Sequence, residues 1–355
     1  MKEGTKYEKT FKKQKLHNIR KSKKKLRQLT KRNKKKKRRK QKNQNTILGH
    51  SYSKIHYLVA PATLSLLDNE RETLNFFNKA IEISKKCNVN HCIYLNLFKV
   101  EHISADAVMY IIAFINNCKR LNILNVNIEG NLPQKKEVRY FLEDFGFYSY
   151  VKGLNKTHEQ NNKERIQIKH GKNANGNLVS KICDFANNIF KQNNLLGTKR
   201  LYPMLIELMT NVKQHAYNNY KGKSIMDSNW YIYTENTTNS ISFVFLDTGV
   251  GIPTTMWYNH KEKLINLLPT SNRDASYIAS ALRGAVRSET QKSYRGKGLP
   301  GIYQDSVNGQ ISNMCIISGK GKCVIKNDGS IEEATLPMQF EGTLFCWEYT
   351  LENRR

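Results

Sequence analysis

Carboxylates are nearly missing from the first 45 positions, which hold 22 basic side chains and only 2 acidic ones. This stretch carries +20 of the chain's net charge of +30. At that density like charges repel, and almost no apolar surface is available to offset the entropy of ordering, so a basic disordered tail is expected over residues 1–45. Long apolar runs are missing as well. The run Val108 to Ile115 has eight residues, far short of the roughly 20 that a membrane span needs. The N-terminus has no apolar signal core, and a soluble, cytoplasmic protein without membrane association is expected. Paired cysteines are a third absence. Cys87, Cys92, Cys118, Cys183, Cys315, Cys323 and Cys346 are scattered and form no Cys-x-x-Cys, so neither a disulfide framework nor a zinc site is indicated. Also absent are the Walker loop, Gly-x-x-x-x-Gly-Lys-Ser/Thr, and a dinucleotide fingerprint following a strand.

Against these absences stand 355 residues that are 39% hydrophobic, enough for two ordinary domains. The tail can neutralise nucleic-acid phosphates and release counterions, which makes non-specific nucleic acid a candidate partner of residues 1–45. Leu16, Ile19, Leu26 and Leu29 sit near helical spacing, as for a segment that folds on an anionic partner; a merely solubilising tail has the same letters. From 46 to 152 the pattern predicts a strand at Ile55–Ala60, a helix with Leu74, Phe77 and Ile81 on one face, a strand at 91–99, a helix at 105–121, a strand at 123–128 and a helix at 137–145. Alternating strands and helices imply a small α/β layer with a mainly parallel sheet. Residues 153–177 are polar and weakly periodic, a linker or edge segment in which Ile166–Lys169 is strand-like.

The richest chemistry lies in 178–355. Two helices are expected at 178–194 and 201–218, and on the second Glu207, Asn211 and His215 are spaced i, i+4, i+8, forming a polar row beside an apolar stripe. A hairpin follows, Trp230–Thr234 and Ile241–Leu246, whose second strand runs into Asp247-Thr248-Gly249-Val250-Gly251. A carboxylate at a strand's mouth can accept from a nucleobase amine, while Gly249 and Gly251 keep side chains out of the way. A tight turn after any strand would read the same. Residues 254–294 are mixed, with a helical piece near Ala275–Val286 and basic residues at Arg287, Lys292 and Arg295. Gly296-Lys297-Gly298-Leu299 precedes a helix at about 300–308, a geometry in which backbone amides and a helix N-terminus meet phosphate and Lys297 adds a cation. Strands at 313–318 and 322–326 flank a Gly-Lys-Gly turn, and Gly342-Thr343 opens the last strand.

Taken in order, Thr210-Asn211-x-x-x-His215, Asp247-x-Gly249-x-Gly251, Gly296-x-Gly298-Leu299 and Gly342-Thr343 resemble the nucleotide site of the GHKL ATPases, nearest to the anti-sigma serine kinase and histidine kinase branch. The resemblance implies a Bergerat-type α/β sandwich over 178–355. It implies ATP and Mg²⁺ as cofactors, Asn211 as metal ligand, Glu207 as general base, Asp247 on the adenine amine and Thr343 supporting Asp247. Residues 254–294 would be the lid. The preceding segment, 46–152, resembles a STAS-like domain through its strand 93–97, the helix opened by Ile103-Ser104-Ala105-Asp106-Ala107, the strand 123–128 and Phe141-Leu142-Glu143-Asp144-Phe145-Gly146. Only Ser104 stands near that family's phosphorylatable serine, in a departing context, which implies a docking or dimerising role. The function expected is an ATPase or ATP-gated switch acting on a protein partner through the STAS-like domain and the tail. An anti-sigma-like serine kinase and a nucleic-acid-binding protein with a non-hydrolysing nucleotide fold are the alternatives, and homodimerisation is left open.

Overall fold

Within the computed structural model, the residues described are 24–25, 27–34, 46–47, 50–87, 90–120, 127–151, 164–193, 195, 199–215, 229–267, 273–285, 298–309 and 311–351. They form a mixed α/β protein in two units, residues 1–55 and residues 56–355. In the first unit, residues 24–25 and 27–34 are helical and exposed, where the sequence predicts a disordered tail. The remaining tail residues lie outside the description. Strands β1 (Thr46–Ile47) and β2 (His50–Ser51) pair antiparallel.

The second unit is organised by alternation along four long strands. β9 (Trp230–Asn236), β10 (Ser240–Asp247), β11 (Ser312–Ile325) and β12 (Ile331–Thr350) join β8 (Arg165–Gly171) in a five-stranded sheet of order β11-β12-β10-β9-β8. Successive side chains of a strand face opposite ways, and here both faces are apolar. Ile241, Phe243 and Phe245 of β10, with Phe345, Trp347 and Tyr349 of β12, enter one core. Val244 and Leu246, with Leu344 and Cys346, enter another. The expected hairpin is present, with Ile241 opposite Asn236 and Leu246 opposite Tyr231. Segment 153–177 contributes β8 as the sheet's edge, paired with β9.

On the first face lie α4 (Gly176–Gln192), α5 (Leu201–His215), α7 (Arg273–Arg283) and α8 (Gly298–Val307), whose apolar stripes share that core. α6 (Ile252–Leu267) bends at His260 and packs on α7. On the second face lies the N-terminal α/β layer: β3 (Lys54–Val59), α1 (Glu70–Lys86), β5 (His91–Asn96), α2 (Ala105–Arg120), β7 (Asn127–Asn131) and α3 (Lys136–Phe145), with β4 (Thr63–Leu64) pairing β6 (His102–Ile103). Its sheet has the order β3-β5-β7, with β5 and β7 parallel as the sequence predicts. α1 packs on β12 and α2 on β9 and β10. Residues 107–115 of α2 are all buried, which explains a helix apolar on every side. Tyr110 meets Phe340 at 4.8 Å between ring centroids, and Phe145 stacks on Tyr233 at 4.2 Å. The segments 46–152 and 178–355, distinct in sequence, therefore share one core from residue 56 onward.

One strand expectation is corrected. Gly319-Lys320-Gly321 is no turn; β11 runs through it, with register shifts at Gly319 and Gly321. A Cβ on Gly321 would lie 2.5 Å from the backbone N of Ala275, so the glycines are there to seat the start of α7. The chain reverses instead at 326–330, where Lys326 N–H donates to the Ser330 carbonyl. Among the described residues no helix is long and apolar enough to cross a membrane.

Candidate functional site

The site is built where β10 ends. Asp247 sits opposite Thr343 on β12 and Trp230 on β9, so the central strand delivers its carboxylate between two neighbours. Asp247 Oδ1 accepts from Gly249 N–H at 2.8 Å. Burial pushes the Asp247 pKa up to about 6, partly offset by the Gly249 amide and the Thr343 hydroxyl, both of which favour the carboxylate. Thr343 is itself buried. The arrangement yields a half-buried acceptor that remains mostly ionised at neutral pH.

The turn beyond it is anchored by a residue that the motif reading misses. Gly251 has φ +84°, and a Cβ there would lie 2.7 Å from Ser318 Oγ. Ser318, fully buried, accepts from Ile252 N–H at 3.0 Å, donates to the Gly342 carbonyl at 2.9 Å and lies 3.1 Å from Thr343 Oγ1. One hydroxyl thus ties the start of α6 to β11 and β12. Its only signal in the sequence is a polar residue ending the apolar run Met314 to Ile317. Thr248 is held separately, accepting from Asn229 N–H at 3.0 Å. The Gly251 carbonyl accepts from the Thr255 amide at 3.2 Å and its hydroxyl at 3.0 Å, closing the first turn of α6.

The second half lies on α5 and α8. Gly298 opens α8 against the Glu207 side chain; a Cβ there would lie 2.1 Å from Glu207 Cγ. Glu207 is half-buried, and that burial raises its pKa. Asn211 follows one turn later on α5, also half-buried. Thr210 is spent locally, its hydroxyl donating to the Ile206 carbonyl at 2.7 Å. Arg200, just before α5, pairs with the buried Asp305 of α8 at 3.0 Å, a second tie between these helices that the sequence reading did not single out. Ile206, Ile252 and Leu299, neighbours of Glu207, Gly251 and Gly298, all border the same core, so these motifs occupy one side of the sheet.

The structure thus brings Asp247 to Gly249 and Thr343, and Glu207 to Gly298. The backbone of His215 ends α5, but its side chain lies outside the description. Gly296 and Lys297, with Arg287, Lys292 and Arg295, lie outside the described residues. Ser104 N–H and Oγ both donate to the Leu64 carbonyl, at 3.0 and 3.3 Å, which fixes the entry to α2. No protein-family model matches the chain, and a search of curated proteins finds no match.

Proposed function

We propose that the chain binds Mg-ATP in a GHKL-type site on the helical face of the large sheet. The observation that carries this reading is the Asp247 carboxylate, half-buried at the end of β10 and braced by the Gly249 amide and the Thr343 hydroxyl. An acceptor-only group on a rigid strand, beside a turn kept free of side chains by glycine, suits the exocyclic amine of adenine. The Bergerat-type assignment draws its support from the strand order and from helices α4, α5, α7 and α8 gathered on one face. Asn211 offers an amide oxygen, a hard ligand of the kind Mg²⁺ takes alongside waters and phosphate oxygens. When bound, the ion neutralises phosphate charge. Glu207, its basicity raised by burial, would orient the attacking water. The amides opening α8 beside Glu207 would meet phosphate oxygens.

The output we favour is an ATPase or ATP-gated switch. The N-terminal layer, STAS-like in this proposal, shares its core with the sheet that carries Asp247, so a change at the site reaches the face offered to a protein partner. Cytoplasmic placement and contact of residues 1–45 with nucleic acid belong to the same proposal.

Isothermal titration of ATP with Mg²⁺ into the full chain tests the site. Saturable one-to-one binding that Asp247→Asn abolishes is expected; no binding by the unaltered chain ends the reading. Incubation with γ-labelled ATP then assigns the output. Free phosphate lost in Glu207→Ala, with binding retained, marks an ATPase; label on protein marks a kinase; binding without turnover marks a switch.

A further inference from the structure

At the end of α1 three side chains suited to a transition metal converge from three elements. Cys87, 2% exposed, is the C-cap of α1, and its N–H donates to the Ser84 carbonyl at 3.3 Å. His91 opens β5, and His56 lies on the neighbouring strand β3. His56 Nε2 is 3.3 Å from His91 Nδ1, and one ligand atom from each of the three residues lies within 4.8 Å of the other two. No short sequence motif prescribes this grouping; only the Cys87-x-x-x-His91 spacing is visible in the chain, while His56 arrives through strand order.

We infer that His56, Cys87 and His91 bind a zinc-class divalent ion, with two imidazole nitrogens and one thiolate as protein ligands and the fourth position open to solvent. In a tetrahedral site with Zn–N bonds of about 2.05 Å, two nitrogens stand about 3.3 Å apart, the separation found between His56 and His91. The sulfur-to-nitrogen edge is about 3.6 Å, so the thiol has only about 1 Å to close. Both histidines are half-exposed, which gives the ion a way in and a place for a water ligand. Binding releases the Cys87 proton to solvent and leaves both imidazoles neutral. The neighbouring thiols do not compete. Cys92 and Cys118 are buried and fall outside the group of converging ligand atoms. The ion would clamp the end of α1 to the β3–β5 pair, and α1 is the helix that packs on β12. This inference does not rest on the nucleotide site.

Titration of Co²⁺ into the reduced full chain, without nucleotide, reads the site directly. Saturation at one equivalent is expected, with thiolate-to-cobalt charge transfer, the strong visible bands of a tetrahedral ion, and displacement by Zn²⁺. Cys87→Ser should lose the charge-transfer band, His56→Gln should weaken Co²⁺ binding tenfold or more, and Cys183→Ser should leave both unchanged. Circular dichroism checks that each variant is folded. If Cys87→Ser does not fold, His91→Cys supplies the test, since a second thiolate should roughly double the charge-transfer absorbance. No charge-transfer band in the unaltered chain would overturn the assignment and leave two imidazoles sharing a hydrogen bond beside a buried thiol. A band that survives in folded Cys87→Ser, or is unchanged in His91→Cys, would overturn it too.

Discussion

Asp247 is held at odds with water. Its pKa is raised from 3.8 to about 6 in the fold, so the folded protein binds more protons than the unfolded chain between those values. The stability it contributes is complete below about pH 4 and is lost as pH rises through about 6, a difference of up to about 3 kcal/mol. Asp247→Asn keeps an oxygen acceptor for Gly249 N–H and carries no charge. Without nucleotide it should equal the unaltered chain near pH 4 and melt at a higher temperature at pH 7, as followed by circular dichroism across pH. Two glycines of α8 give a sharper contrast. A Cβ at Gly298 meets Glu207 Cγ at 2.1 Å, whereas at Gly301 the nearest atom is Arg200 Nη2 at 3.5 Å, an ordinary contact. Gly298→Ala should cost about 2 kcal/mol or more in urea unfolding. Gly301→Ala should be neutral or gain up to about 1 kcal/mol, since alanine is the better helix former. The motif residues were legible because their spacing is local. Ser318 was not, since its three partners, Ile252, Gly342 and Thr343, become neighbours only when β11, β12 and the start of α6 meet.

Among elements, helices and central strands follow their periodicity closely. α2 is expected at 105–121 and found at Ala105–Arg120, and β10 is expected at 241–246 and found at Ser240–Asp247. β11 was misread because glycine marks both turns and places where another backbone comes close, and only the position of α7 decides between them. The link between α1 and β11 is ionic: Lys322 pairs with Glu70, both partly buried. Burial, the largest single influence, opposes the lysine's charge, but the Glu70 carboxylate together with Cys315 and Asp68 outweighs it and raises the pKa of Lys322. Lys322→Ala leaves Glu70 without this partner and should cost about 2 kcal/mol, measured by guanidinium unfolding. High salt should recover little of that loss, because a partly buried pair is weakly screened.

For the whole molecule, the sheet has no face to spare. Val244, Leu246, Leu344 and Cys346 point into the N-terminal layer, so removing that layer uncovers a contiguous apolar surface. A fragment of residues 178–355 should bind a hydrophobic dye and self-associate, whereas the full chain should not; light scattering with dye fluorescence distinguishes them. The sequence offered no hint of this, because composition changes at 153–177 as it would between independent domains. The basic tail is testable apart from the rest. Deleting residues 1–45 should remove a salt-sensitive gel shift of nucleic acid without altering ATP titration, and an unchanged shift would place that contact elsewhere.

The double-sided sheet also sets an order of events at the ribosome. α2 is synthesised by residue 120, but the strands it packs on, β9 and β10, span residues 230–247, and β12, which flanks β10, ends at residue 350. At about 5–20 residues per second, the apolar run Val108–Ile115 waits about 10–50 s for its wall to be completed. During that interval the nascent chain leaves uncovered the face of this helix that packs on β9 and β10, a substrate for chaperones that hold such segments. Synthesis in a chaperone-depleted extract should therefore lower the soluble yield of this chain.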